Sequence, residues 1–139
     1  MNPLYTAVAT SEGGRNGKVK SSDGVLKLNL RPPVEMGGTG GDYTNPEQLF
    51  AAGYAACFGG ALSHVAIAKG LRIRPTVTAK VTISSIEGCG FELSVELDIL
   101  VPGVDQATAD ELAEAAHQFC PYSKATRNNI EVKINAKAV

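Results

Sequence analysis

Sulfur is the most reactive material in this 139-residue chain, which holds three cysteines, Cys57, Cys89 and Cys120, and two histidines, His64 and His117. A thiolate attacks electrophilic oxygen or sulfur and also ligates metal, so each cysteine is a candidate nucleophile, redox partner or ligand. Their sequence surroundings separate them. Cys57 falls in an apolar run, where a free cysteine packs like a small hydrophobe and burial alone keeps its thiol protonated and inert. To act as a nucleophile it needs a cation. Cys120 precedes Pro121 and Tyr122 at a break between two helical segments. It reads either as a loop cysteine without consequence or as a sulfur at an N-cap-like position, where amide dipoles favour thiolate. Cys89, between two glycines of a hairpin turn, is given no role. An odd number of cysteines gives no reason to expect a disulfide framework.

Metal binding is the rival use of these residues. His64 stands seven residues after Cys57, a rise of about 10 Å along a helix and more than two ligands of one zinc ion span. Only His117 and Cys120 have workable local spacing, and no C-x-x-C or H-x-x-x-H pair occurs. A serine-hydrolase site lacks its G-x-S-x-G turn, and a Cys-His acyl-transfer site has no specific support. The Gly-rich stretch from Gly37 to Asp42 lacks the Lys-Ser/Thr ending of a phosphate loop and reads as a connector. A zinc site assembled from all four residues, Cys57, His64, His117 and Cys120, stays open as the minor reading.

The elements that carry these residues are well marked. Asn45 is a good N-cap, Pro46 suits the first helical position, Gln48 stands at the capping-box position, and Gly70 supplies the stop, so a helix runs from about Pro46 to Lys69. It is apolar all round, which predicts burial on nearly every side. At about 36 Å it is too long for one small subunit to surround, so an intimate homodimer is expected. A second helix, Gln106 to Phe119, starts at Asp105 and presents Leu112, Ala115, Ala116 and Phe119 as a stripe. Pro121 then opens a short turn through Thr126.

Alternating runs at Leu4–Thr10 and Val25–Leu30 predict antiparallel strands, with the glycine-rich loop Ser11–Gly17 between them carrying Arg15. Thr76–Ile83 and Phe91–Ile99 read as a hairpin with one wet face, and Ile130–Ile134 as a last strand. The order β-β-α-β-β-α-β makes an α+β fold, expected as one domain over residues 1–139.

With 44% hydrophobic and 19% charged residues the chain is suited to a packed core rather than to disorder. A net charge of −1 without a basic block argues against nucleic acid and anionic membranes as partners. No signal-like N-terminus is evident, and the longest apolar run is broken by Gly, Tyr, Ser and His. The expectation is a cytoplasmic protein without a transmembrane span.

Two long motifs now bear on identity: Asn45-Pro46-Glu47-Gln48-Leu49-Phe50-Ala51-Ala52-Gly53-Tyr54-Ala55-Ala56-Cys57-Phe58, and Cys120-Pro121-Tyr122-Ser123-Lys124-Ala125-Thr126. With Gly13-Gly14-Arg15-Asn16-Gly17 and Gly37-Gly38-Thr39-Gly40-Gly41 they span the chain, which strongly resembles the organic hydroperoxide resistance (Ohr) proteins of the wider Ohr/OsmC family. The resemblance implies a thiol peroxidase of the oxidative-stress response, without metal, flavin or haem cofactor, that reduces alkyl and fatty-acid hydroperoxides to alcohols, with little preference for hydrogen peroxide. It implies an OsmC-like fold in which antiparallel strands wrap two central helices in an intertwined homodimer.

Carried over by motif, Cys57 is the peroxidatic and Cys120 the resolving cysteine, with Arg15 and Glu47 as the activating pair. A sulfenic acid on Cys57 would condense with Cys120 to a disulfide, reset by a dithiol that the resemblance identifies as a lipoylated protein or dihydrolipoamide. Physically, Arg15 supplies the permanent charge that Cys57 needs and donors for the departing oxygen, and Glu47 holds its guanidinium fork.

Glu47 and Cys57 are ten residues apart, about 15 Å along an unbroken helix and roughly 80° around it. One arginine does not comfortably touch both within a chain. Unless the helix kinks near Gly53, Glu47 of one copy meets Cys57 of the other across a two-fold axis.

Phe58 and Phe91, with Leu26 as a third, read either as a cradle for an alkyl tail or as ordinary core. Tyr122 hydrogen-bonds in the pocket or wedges the turn and stays outside the catalytic set. Two other functions compete: an OsmC-type peroxidase of broader stress role, and a cysteine-based redox sensor or binding module without turnover. Cys120-Pro121-Tyr122-Ser123 with Gly53-Tyr54 favours Ohr.

Overall fold

A computed structural model describes residues 1–139. Packing divides the chain into two compact units, Met1–Leu49 and Phe50–Val139. The long helix α1, Pro46–Ala68, starts in the first and supplies the first element of the second. Its start follows the sequence signals, since Asn45 Oδ1 accepts from the Gln48 N–H at 2.8 Å. The Gln48 side chain takes a different partner from the one a capping box provides: its Oε1 accepts from Thr44 Oγ1 at 2.8 Å. The Gly70 backbone, left-handed at φ 73°, follows the last turn.

In the first unit, β1 (Ala9–Glu12), β2 (Lys18–Ser21) and β3 (Lys27–Asn29) form an antiparallel sheet in that order. This corrects the sequence reading in two places. The strand expected at Leu4–Thr10 begins only at Ala9, where pairing with Ser21 starts, and Leu4, Tyr5 and Val8 stand exposed. The strand β2 was not anticipated, because Lys18-Val19-Lys20-Ser21 is too short for alternation to register. Leu30 is the one buried residue of this unit, which therefore has no core of its own.

The second unit holds β4 (Thr76–Ile86), β5 (Gly90–Val101), α2 (Gln106–Phe119), α3 (Pro121–Thr126) and β6 (Val132–Ala138). The strands β4 and β5 form the expected hairpin, in register from Thr76 opposite Leu100 to Ile86 opposite Gly90. The antiparallel expectation fails at β6, which lies parallel to β5. The reason is the connection: α2 and α3 provide a crossover long enough to bring the chain back in the same direction.

Side-chain alternation gives this sheet one packed face, with Val95, Leu97, Ile99 and Val101 of β5 buried. They join Tyr54, Phe58 and Leu62 of α1 and Leu112 and Ala116 of α2 in one apolar cluster. Each large side chain so buried contributes about 1.5–3 kcal/mol. The helix α1 was expected to be covered on nearly all sides, but within the chain it buries one face only. Tyr54, Phe58, Ala61, Leu62 and Ala66 point inward, whereas Ala52, Ala56, Gly60 and Ile67 are exposed. By length and composition α1 would also suit a membrane crossing; its inward stripe makes it a core helix of this unit.

Candidate active site

Cys120 occupies a joint: its N–H closes α2 on Ala116 O at 2.8 Å, and its own carbonyl accepts the Lys124 N–H of α3 at 3.0 Å. Pro121, with no N–H to donate, suits the first position of α3. This joint points the fully buried Cys120 thiol at half-buried Cys57, with 3.6 Å between the sulfurs. Both cysteines are free thiols. Burial pushes the Cys57 thiol pKa up, the Tyr122 backbone N–H aimed at its sulfur opposes that rise, and Cys120 adds to it. Unassisted, this environment keeps Cys57 protonated.

Tyr122 follows directly on the joint, and its ring lies over Gly53 of α1. A Cβ at Gly53 would stand 3.0 Å from the Tyr122 hydroxyl, so glycine there permits the close approach. The ring also meets Tyr54 edge-on, with centroids 5.7 Å apart. Beside Tyr122 opens a cavity of about 620 Å³ lined by Phe50, Phe91, Glu92, Leu93, Tyr122, Ala125, Thr126, Asn129 and Ile130.

Of the three residues considered for an alkyl tail, Phe91 lines this cavity. Phe58 does not, because it is fully buried in the core cluster, and Leu26 stands exposed in the first unit. His117 Nδ1 lies 2.8 Å from Ser123 Oγ, and burial lowers its pKa. Cys89 sits exposed in the β4–β5 turn.

The first unit holds the other pair. Arg15 Nη1 donates to Glu47 Oε2 at 2.8 Å and Nη2 donates to Oε1 at 2.6 Å, a two-pronged fork on one carboxylate. The loop presenting Arg15 depends on its glycines. Gly13 and Gly14 have left-handed backbones, and a Cβ at Gly17 would come within 1.9 Å of the Glu12 carbonyl oxygen. Glu47 sits in the first turn of α1, where the helix N-terminus also favours an anion. The fork holds the Glu47 carboxyl below the usual carboxylate range and raises Arg15 further. The four residues carried over by motif thus form two pairs, one in each unit.

Sequence reasoning leaves Tyr122 outside the catalytic set, although its backbone meets the Cys57 sulfur, and gives no role to the buried hydroxyls of Tyr54 and Ser123. A usable signal existed for both: a tyrosine inside an apolar helix must find a partner for its hydroxyl, and a glycine in an Ala-rich helix marks a close approach.

A family model described as OsmC-like protein matches residues 38–135. An organic hydroperoxide resistance protein from Xanthomonas axonopodis pv. citri (strain 306) is 53% identical over 133 residues, covering 94% of this chain and 93% of its own length. The chain belongs to the Ohr/OsmC family. Two crystal structures extend the match. One, an organic hydroperoxide resistance protein from Elizabethkingia anophelis, is 55% identical with a TM-score of 0.91, covering 96% of each chain.

The other, from Vibrio cholerae O1 biovar eltor str. N16961, is 44% identical with a TM-score of 0.92, covering 99% of this chain and 97% of its own. It is described as a putative organic hydroperoxide resistance protein with a molecule of captopril bound in one of the active sites. Membership of the Ohr/OsmC family gives the chain the mixed α+β fold of these structures and implies a peroxidase-type role in organic hydroperoxide resistance.

Proposed function

We propose that this protein is a cysteine-based peroxidase that reduces organic hydroperoxides to alcohols. The observation carrying the reading is the pair of free thiols, Cys57 and Cys120, with sulfurs 3.6 Å apart. The Cys57 thiolate attacks the terminal peroxide oxygen, the O–O bond breaks, and the alkoxide takes a proton to leave as alcohol. The sulfenic acid on Cys57 then reacts with the Cys120 thiol; the S–S bond forms and water leaves. A dithiol exchanges with the disulfide and is itself oxidised, restoring both thiols. A lipoylated protein or dihydrolipoamide fills that role, and the cytoplasm is where the reaction runs.

Attack requires a thiolate, which burial opposes at Cys57. The Arg15 guanidinium, held by Glu47, is the charge that reverses this and stabilises the departing oxygen. The helix α1 runs without interruption from Pro46 to Ala68, so ten residues of regular helix, about 15 Å, separate Glu47 from Cys57. The working site in this proposal therefore joins Arg15 and Glu47 of one copy to Cys57 and Cys120 of a second, in a homodimer. The exposed apolar face of α1 and the coreless first unit support that assembly. The cavity beside Tyr122, with Phe91 on its wall, is the proposed seat of the alkyl tail.

The test is peroxide consumption by the pure protein, cumene hydroperoxide against hydrogen peroxide, with dihydrolipoamide or dithiothreitol as reductant. Turnover that favours the organic peroxide and disappears in Cys57→Ser is expected. One stoichiometric oxidation without turnover would instead mark a redox sensor.

A further inference from the structure

Ser123 is fully buried, and its hydroxyl lies 2.8 Å from Tyr54 Oη on α1 and 2.8 Å from His117 Nδ1 on α2. Tyr54, also fully buried, has a second partner in Thr126 Oγ1 at 3.2 Å, and Thr126 in turn donates to the Ser123 carbonyl at 3.2 Å. This is a closed polar circuit inside an otherwise apolar cluster, a costly arrangement unless every member is satisfied.

Its placement relative to the sulfurs is specific. Tyr54 precedes Cys57 by three residues on α1, and Ser123 follows Cys120 by three. The hydrogen bond and the thiol pair are therefore two parallel links between the same two segments, one helical turn apart. The Tyr122 ring over Gly53 adds an apolar contact in the same seam.

We infer that the Tyr54–Ser123 hydrogen bond, with His117 behind it, is a clasp that fixes the Cys120 turn against α1 and sets the speed of disulfide closure. The inference rests on the peroxidase reading. Closing the pair takes the sulfurs from 3.6 Å to a bond of about 2.05 Å. With the clasp in place, that movement falls to the two cysteine side chains alone. Without it the turn carrying Cys120 samples other positions, and the fraction of time spent in attacking geometry drops. Of the two cysteines only Cys57 takes part in the attack on peroxide, so that step depends far less on the clasp than closure does. Tyr54, Ser123 and His117 are thus positioning residues.

The experiment mixes the reduced homogeneous protein with one equivalent of cumene hydroperoxide, without reductant. It follows thiol loss, dimedone-trapped sulfenic acid and disulfide by mass spectrometry in time-quenched samples. Tyr54→Phe and Ser123→Ala are expected to attack peroxide at the parent rate within about twofold and to close the disulfide about tenfold more slowly, with sulfenic acid accumulating. The double variant should be no slower than the slower single, as for two halves of one contact.

Parent-like closure in both single variants would overturn the clasp, as would slow closure accompanied by equally slow attack. Should either variant fail to fold, His117→Gln removes the part-exposed support behind Ser123 and should slow closure by roughly twofold to fivefold; unchanged closure there also overturns the inference. A parent that forms neither sulfenic acid nor disulfide would overturn the underlying peroxidase reading, a result distinct from failure of the clasp.

Discussion

The Cys57 and Cys120 sulfurs, 63 residues apart in the chain, face one another at 3.6 Å across the seam between α1 and the joint that ends α2. Their roles separate on substitution. Cys57→Ser should abolish peroxide consumption, because neither remaining thiol replaces it: Cys120 is fully buried and Cys89 sits in the exposed β4–β5 turn. Cys120→Ser should still undergo one attack but fail to close the disulfide, leaving sulfenic acid for dimedone to trap. Stopped-flow peroxide consumption and mass spectrometry check both.

Arg15→Ala should slow attack by about 10²-fold or more, the scale of losing a donor for developing negative charge. Its pH profile gives the sign of the effect. Burial raises the Cys57 pKa, so without the guanidinium the thiolate forms only as pH climbs past the ordinary thiol range. The variant's attack rate should therefore keep rising into alkaline solution where the parent has levelled off. Coincident profiles would refute activation by Arg15.

Gly17→Ala tests the loop without touching a charged group. The added Cβ would stand 1.9 Å from the Glu12 carbonyl oxygen, a clash with backbone that the loop relieves only by moving. The Arg15 fork on Glu47 should loosen, and attack should slow by roughly tenfold while Cys120 chemistry is spared. Single-turnover kinetics on the variant would show this split.

Phe91→Ala removes the aromatic wall of the cavity next to Tyr122. Efficiency with cumene hydroperoxide should fall by about tenfold, and that with hydrogen peroxide should hardly change, since the smaller substrate has no tail to seat. A matched loss for both peroxides would move the tail site elsewhere.

Local signals were legible where the chemistry is local. Asn45, Pro46 and Gly70 bracketed α1, and Asp105 and Pro121 bracketed α2, because caps act within one turn. The N-terminal strand was misplaced because alternation at Leu4, Tyr5 and Val8 promises a buried face that the chain itself does not provide. The direction of β6 was not readable either, since the choice between parallel and antiparallel belongs to the crossover and not to the strand. The pairs Arg15–Glu47 and Cys57–Cys120 are long-range contacts, invisible to spacing and accessible only through motif resemblance. The Ser123 circuit escaped notice because its members lie on three separate helices.

The stretch between the two sulfurs contains β4, β5 and α2, nearly the whole packed unit. Linking Cys57 to Cys120 would turn that stretch into a covalent ring and remove about 4 kcal/mol of conformational freedom from the unfolded chain. Oxidation should then leave its mark on endurance as well as chemistry: the protein that has just spent its thiols withstands heat and denaturant better than the protein ready to react. By the same coupling, folding would favour the oxidised pair, and a reductant resetting the proposed cycle would work against that preference.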